Sequence, residues 1–158
     1  MLPKKSKVEE RWPNLDWQLG IHLSRLKGMS PDTKSFNFKL INLLLPCRER
    51  TSQLLGNNSP NCTLCPDIAS ESLTHALFEC SVNRRAAQYL LDLTKIFDST
   101  VTREKVLQFQ LHTEPLYELP TIAVLYSSLC LIWRNRHDKK GTTLYDIRAE
   151  LECLIEKI

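Results

Sequence analysis

The amino-acid sequence predicts an all-α fold. Apolar residues recur at helical spacing along most of the chain, and no alternating strand pattern of useful length occurs. The chain has only four glycines and eight prolines, which argues against a sandwich or barrel rich in tight turns. A group of cysteine and histidine residues in the middle of the chain, at metal-ligand spacing, adds a loop that the helices must accommodate.

The chain of 158 residues has the length of one domain with a short tail. Residues 1–12 are polar and basic and are predicted to be a flexible tail, and residues 13–158 to be a single helical domain. Lys4, Lys5 and Lys7 fit the short basic pattern of a nuclear import signal, with a solvated tail as the alternative. No apolar segment follows this positive start, so we expect a nuclear or cytoplasmic protein and not a secreted one.

The longest apolar run covers residues 122–133, which as a helix would span about 18 Å. A bilayer needs roughly 20 residues, so we expect no membrane partner. The formal charge of +3 is unevenly spread, because residues 1–50 carry ten Lys/Arg and only five Asp/Glu. This positive segment makes a polyanion the first partner to consider.

Two helices are predicted before residue 46. The first covers 14–27 and ends at Gly28. The second begins at the Ser-Pro-Asp segment 30–32, which supplies a cap, a proline at the first helical position and an acid in the first turn. We expect it to run to about Leu45, because Pro46 cannot continue a helix without a kink.

The middle of the chain is predicted to hold two short helical segments joined by a loop. The first covers 47–55 and ends at Gly56. Residues 57–60, Asn-Asn-Ser-Pro, have no helical character. Ser70 and Glu71 are expected to open the second helix.

Four helices are predicted in the rest of the chain: 81–97 with Ser81 as its cap, 102–110, 119–139 and 142–158. The helix over 119–139 is apolar on most faces, so we expect it to be the buried central element. The last helix has Thr142 or Thr143 as its cap and a regular apolar stripe that begins at Leu144.

The strongest chemical signal is the set Cys62, Cys65, His75 and Cys80, spaced C-x2-C and H-x4-C. Zinc prefers four sulfur or nitrogen ligands in a tetrahedron, and a reducing compartment favours metal over disulfides. We therefore predict one structural Zn²⁺ ion on these four residues, with free thiols and a core histidine as the alternative. The predicted fold is a helical bundle with this zinc-knuckle loop clasped onto it.

The H-x4-C spacing carries a further prediction. Five residues at roughly 100° each leave about 140° between the two side chains on an ideal α-helix. His75 and Cys80 therefore cannot both face one ion from an unbroken helix, and we expect the helix to loosen or end close to Cys80. Four protein ligands leave no open position for water, which indicates a structural site.

The other three cysteines are expected to be structural or incidental. Cys130 lies in the most apolar helix and is predicted to be in the core. Cys153 falls on the side of the last helix away from its apolar stripe, and Cys47 lies outside the cluster.

The order of these motifs resembles the zinc-binding region that follows the reverse transcriptase domain of non-LTR (LINE-type) retrotransposons. In that family an apolar helix ends in a Leu-Pro-Thr-Arg-like segment, as residues 38–48 do here with Leu-Pro-Cys-Arg. A knuckle, a Glu-x-x-x-His step and a terminal cysteine follow, and residues 71–75 supply that step. Residues 131–136 resemble the Trp-x-x-Arg helix that often comes next, so the resemblance covers roughly 30–138.

The resemblance implies a non-catalytic helical zinc domain that helps an enzyme engage its template RNA and target DNA. The chain agrees with this, because it has no Asp-Asp pair and reverse transcription needs clustered carboxylates for two metals. It is then either a domain of a larger element protein or a stand-alone descendant. Two positions depart from the family pattern: Cys47 stands where threonine is usual, and Pro66-Asp67 follows the second knuckle cysteine, where glycine is common.

We expect cations near these motifs to neutralise phosphates. The candidate nucleic-acid contacts are Lys34, Lys39, Arg48, Arg50, Arg84, Arg85, Arg134, Arg136, Lys139 and Lys140. Phe36, Trp12 or Trp17 could offer stacking surfaces. The alternative is that these charges are solvated faces, and the cations at 134–140 also suit the negative end of a helix dipole.

Two functions are therefore predicted. The first is a zinc-stabilised nucleic-acid-binding module, with RNA as a more favoured partner than duplex DNA. The alternative is a domesticated protein-interaction scaffold that docks through the apolar stripe of its last helix, although that stripe can equally pack into the chain's own core. Neither function involves a small-molecule substrate.

Overall fold

The computed structural model describes residues 25, 29–42, 44–56, 59–96, 98–111 and 119–157. Over these ranges the fold is helical, as predicted, and the β contact recorded there is an isolated antiparallel bridge between Asn61 and Ser70. The basic tail 1–12 and the helix predicted over 14–27 lie outside the described residues, apart from Arg25, which is helical.

The described helices are α1 (Pro31–Ile41), α2 (Arg48–Leu55), a π-helix (His75–Glu79), α3 (Arg84–Lys95), α4 (Arg103–Leu107), α5 (Leu119–His137) and α6 (Leu144–Lys157). Helix α5 is the centre of the fold, since α1, α3, α6 and the π-helix all pack against it. Leu125, Tyr126, Leu129 and Ile132 on α5 are almost completely buried, which confirms the predicted central helix. None of the helices described is both long enough and apolar enough to span a bilayer.

The helix-end signals at three positions act as predicted. The Ser30 hydroxyl accepts a hydrogen bond from the Thr33 N–H at 3.2 Å and caps α1. Thr143 and Asp146 form a reciprocal capping box at the start of α6, with N–H to side-chain distances of 3.2 and 2.8 Å. Gly56 ends α2 in the left-handed conformation, at a φ of 71°.

Helix α1 ends earlier than predicted, at Ile41. The Asn42 side-chain amide donates to the Phe38 carbonyl at 2.8 Å, and the Leu44 N–H donates to the Lys39 carbonyl at 2.7 Å. The Leu44 bond satisfies a last-turn carbonyl that lacks a regular helical partner, and the Asn42 amide adds a second bond to a carbonyl that already accepts the Asn42 N–H at 3.1 Å. The helix therefore ends through its own C-terminal bonding, before proline is reached.

Two predicted helix starts are wrong. Ser70 belongs to the β-bridge, and the Ser72 hydroxyl instead accepts the His75 N–H at 3.1 Å. Helix α3 begins at Arg84 and not at Ser81, because residues 81–83 form a turn after the last cysteine of the cluster. The backbone at each predicted start is engaged elsewhere, because the Glu71 N–H donates to the Pro60 carbonyl and the Asn83 N–H turns back to the Cys80 carbonyl.

The apolar stripe of α6 packs into the core of its own chain. Ile147 is fully buried, Leu154 is 7% exposed, and the partly buried Leu151 packs against the core. These residues of the stripe thus contact the chain's own core, whereas Leu144, the first residue of the stripe, is 36% exposed. Cys130 is buried and Cys153 exposed, as predicted.

Candidate metal centre and nucleic-acid interface

Cys62, Cys65, His75 and Cys80 converge on one point, with their ligand atoms all within 4.8 Å of one another. The Cys62 and Cys80 sulfur atoms are 4.0 Å apart, and the Cys65 sulfur is 3.5 Å from His75 Nε2. Zinc–sulfur bonds of about 2.3 Å in a tetrahedron place two sulfur atoms about 3.8 Å apart. The donor set and its spacing therefore fit a tetrahedral metal ion, and these four residues could hold one.

A short bridge closes the loop that carries the C-x2-C turn. The Cys62 N–H donates to the Ala69 carbonyl at 2.9 Å, and the Glu71 N–H donates to the Pro60 carbonyl at 2.8 Å. Inside the loop, the Leu64 N–H points at the Cys62 sulfur from 3.4 Å. The turn therefore forms with proline and aspartate in the place where the resembling family commonly has glycine.

The π-helix resolves the spacing of His75 and Cys80. The Cys80 N–H donates to the His75 carbonyl at 2.8 Å, an i→i+5 bond that makes the turn one residue wider than in an α-helix. Residue i+5 then stacks over residue i, as residue i+4 does in an α-helix. At Cys80 the backbone leaves the helical region, with a ψ of 124°. The predicted loosening and ending of the helix are both confirmed.

Three of the four candidate ligands are buried. His75, Cys65 and Cys80 are 6%, 7% and 1% exposed, and only Cys62 is partly accessible. Burial, together with the neighbouring Cys62 and Cys65, raises the pKa of Cys80 to about 12. Thiolates at this position thus need a nearby positive charge, which a bound cation would supply.

Glu71 ties the loop of residues 60–71, which we call the metal loop, to α5 through a buried ion pair that the sequence did not predict. Its carboxylate is 1% exposed and accepts two hydrogen bonds from the Arg136 guanidinium, one of them at 2.8 Å from Nε. Arg136 also lies over the Trp133 ring, 4.4 Å from its centroid. The signal was present in the Glu-x-x-x-His and Trp-x-x-Arg motifs, but their pairing was not foreseen.

Glu71 also binds the first turn of α2. Its Oε1 accepts the Arg48 N–H at 2.9 Å, and its backbone carbonyl accepts the Glu49 N–H at 3.1 Å. A carboxylate at a helix N-terminus satisfies free N–H groups and suits the helix dipole. This contact replaces a side-chain cap, since Cys47 occupies the cap position without forming a side-chain hydrogen bond.

The structure corrects the prediction for Arg136. With its side chain 10% exposed and bonded to Glu71, it is a structural residue and has no free face for phosphate. Phe36 is also corrected, because it is 3% exposed in the core and offers no stacking surface. Trp12 and Trp17 lie outside the described residues.

The other predicted cations lie in different surroundings. Lys39 and Arg134 flank a cavity of about 220 Å³ between α1 and α5, where Arg134 lies 3.4 Å from the Asp32 carboxylate. Lys139 and Lys140 are exposed just after α5, where the helix dipole favours cations. The three that are partly buried are Lys34, Arg48 and Arg50.

Arg84 and Arg85 differ from these, because both are exposed in the first turn of α3 and neither forms an ion pair with a described residue. They line a groove of about 510 Å³ that also contains Tyr89, whose residue surface is 41% exposed. Tyr89 is the exposed aromatic of this surface, and helical spacing had given no reason to single it out.

No protein-family model, curated protein or solved structure matches this chain.

Proposed function

We propose that this protein is a metal-stabilised, non-catalytic module that binds nucleic acid, with single-stranded RNA favoured over duplex DNA. The metal holds the loop and the π-helix together, and the surface beyond Cys80 meets the phosphate backbone. The observation that supports this proposal most directly is the exposed position of Arg84 and Arg85 in the first turn of α3.

The two arginines stand where helix stability disfavours them. The N-terminus of a helix is its positive end, so acids are favoured there and cations are not. Helix α3 has no acid in its first turn, and the side chain of its cap residue, Asn83, forms no capping bond. A phosphate would compensate this local excess of positive charge. The dipole argument that accounts for Lys139 and Lys140 therefore cannot account for Arg84 and Arg85.

We propose one structural zinc ion as the metal, because three thiols and one imidazole at tetrahedral spacing are a typical zinc ligand set. Elemental analysis of the purified protein should find about one zinc per chain. Cobalt substitution should produce the visible absorption of a tetrahedral thiolate site, and Cys65→Ser should remove it. Full folding stability with no bound metal would contradict the assignment.

RNA binding is tested by fluorescence anisotropy with a labelled single-stranded RNA and a duplex DNA at two salt concentrations. Affinity should fall steeply with salt, and the double variant Arg84→Ala/Arg85→Ala should bind about tenfold or more weakly. Its salt dependence should flatten by about 0.7 per lost phosphate contact. The melting temperature should not fall, because two arginines at a helix N-terminus are unfavourable for the helix.

The matched control is Arg103→Ala/Arg148→Ala, which removes two surface cations that already pair with acids outside the groove. This variant should retain its affinity. Absence of RNA binding at low salt, or equal affinities of the two double variants, would refute the proposal.

We also propose kinship with the LINE-type zinc region. The contact between Glu71 and Arg136 supports it, because it joins two of the motifs on which the resemblance depends. A reverse transcriptase reading frame upstream of this segment in the gene would agree. The segment with Lys4, Lys5 and Lys7 would direct nuclear import, which a reporter fused to residues 1–12 would test by its location.

A further inference from the structure

The groove beside Arg84 and Arg85 is built from one face of α3. Its lining residues are Ser81, Arg84, Arg85, Gln88, Tyr89, Asp92 and Leu144. The α3 residues among them recur at spacings of three, four and seven, so they form a continuous stripe opposite the buried face of the helix. At about 510 Å³ the groove lies within the roughly 300–1,000 Å³ of small-ligand sites.

The opposite wall is Leu144 at the start of α6, and the core holds it in place. The Thr142 N–H donates to Asn83 Oδ1 at 2.8 Å in a buried contact. Gly141 lies so close to Val82 that a Cβ there would be 2.4 Å from Val82 Cγ1. The turn before α6 is thus seated on the turn before α3, which gives the groove two walls fixed to each other.

Charge is divided between the two ends of the groove. Arg84 and Arg85 are at one end, and Asp92 is about 12 Å further along the helix axis. The Asp92 side chain is 60% exposed, 3.8 Å from the Lys95 amine, and accepts a hydrogen bond from Gln88 Nε2 at 2.9 Å. The distance between the two ends matches the span of a nucleotide from its phosphate to the far edge of its base.

Tyr89, which lies between these ends along α3, and Leu144 supply the apolar surface of the groove. Their residue surfaces are 41% and 36% exposed, so both can be reached from solvent. An aromatic face beside arginines is the combination that binds unpaired bases by stacking while the phosphates are neutralised.

We infer that this groove binds one unpaired guanine nucleotide of a single-stranded RNA, an inference that rests on the proposed function. The phosphate lies at Arg84 and Arg85, and the base stacks on Tyr89. A carboxylate only accepts hydrogen bonds, and the guanine edge offers two adjacent donors, N1–H and N2–H. The second N–H of the Gln88 amide donates to guanine O6. The other three bases each lack one of these two donors. Adenine and cytosine have a ring-nitrogen acceptor in place of N1–H, and uracil has a carbonyl oxygen in place of N2–H.

Four labelled nine-nucleotide oligouridines, identical except for G, A, C or U at the central position, test this by anisotropy on the zinc-loaded chain. The guanine oligomer should bind about tenfold more tightly than the other three, in line with a two-bond base contact. Asp92→Asn should bring the four affinities within about twofold. Tyr89→Leu should weaken all four by a similar factor.

Asp138→Asn and Tyr145→Leu are the matched controls, because they make the same changes at exposed positions outside the groove. Both should keep the affinity and the guanine preference. Equal binding of all four oligomers, or a preference that survives Asp92→Asn, overturns the guanine site while salt-dependent binding leaves the proposed function standing. Absence of binding to every oligomer overturns both.

Discussion

Glu71 shows how one residue connects three parts of this molecule. Its carboxylate joins Arg136 on α5 to the Arg48 N–H at the start of α2, and its backbone closes the metal loop. A buried carboxylate is stable only when its oxygens are bonded and its charge is paired, and both conditions hold here. The loop that carries Cys62 and Cys65 is therefore anchored by an ion pair beside the candidate metal site.

The first prediction concerns this ion pair. Glu71→Gln leaves the Arg136 charge buried and unpaired, so it should lower the free energy of unfolding by about 3–5 kcal/mol. Glu79→Gln is the control, because its partner Arg103 lies 2.9 Å away at the surface with both side chains about two-fifths exposed. That change should cost less than about 1 kcal/mol. Urea unfolding of the zinc-loaded variants measures the difference, and equal losses would contradict the role given to Glu71.

A second prediction at this scale concerns Cys47. It has the extended conformation of a helix cap but contributes no side-chain hydrogen bond to α2. Cys47→Thr supplies an oxygen acceptor for a free N–H of the first turn and should raise the unfolding free energy by about 1 kcal/mol. Cys153→Thr, at an exposed position, should leave it unchanged. A destabilised Cys47→Thr protein would show that the buried sulfur matters more for packing than for capping.

At the scale of an element, the π-helix allows His75 and Cys80, five residues apart, to face one centre. Its wide turn is an uncommon backbone form that is found mainly at functional sites. Burial of Ala76, Leu77 and Phe78 against α3 and α5 stabilises it from the other side. The sequence spacing excluded an unbroken α-helix, and the i→i+5 turn is the solution that keeps these apolar residues in the core.

The third prediction follows from this element. Chelation of the metal should deprotect the amides of Cys62 and Cys80 in hydrogen exchange, and those of Arg48 and Glu49, which bond to the same loop through Glu71. Amides in the middle of α5 should keep most of their protection, because their bonds lie within the core helix. The Cys65→Ser variant is the control and should show no further change with chelator. Unaltered exchange at Cys80 in the wild-type protein would contradict a metal-dependent loop.

At the scale of the whole molecule, α1, α3, the π-helix and α6 all pack against α5. The fourth prediction tests this packing. Ile147→Ala removes a fully buried side chain and should cost about 2–4 kcal/mol, whereas Leu144→Ala, at the groove edge, should cost about 1 kcal/mol or less. Urea unfolding curves compare the two variants. Equal and small losses would mean that α6 is not part of the core.

Features that depend on neighbouring residues were predictable from the chain itself. The caps at Ser30 and Thr143 and the left-handed glycine at position 56 depend on contacts within a few residues. The apolar character of α5 is a property of its own sequence. The metal ligands belong to this class as well, because C-x2-C and H-x4-C are short-range patterns. The same local reasoning excluded an unbroken helix between His75 and Cys80.

Only the tertiary structure decided which charges are free and which are occupied. Arg136 and Arg84 look alike in sequence, but one is bonded to a carboxylate 65 residues away and the other faces solvent. The groove likewise forms only because Leu144 lies beside α3. That position depends on the packing of the turn before α6 against the turn before α3. Side-chain burial and ion pairing are set by contacts between segments far apart in the chain, and local periodicity holds no information about those contacts.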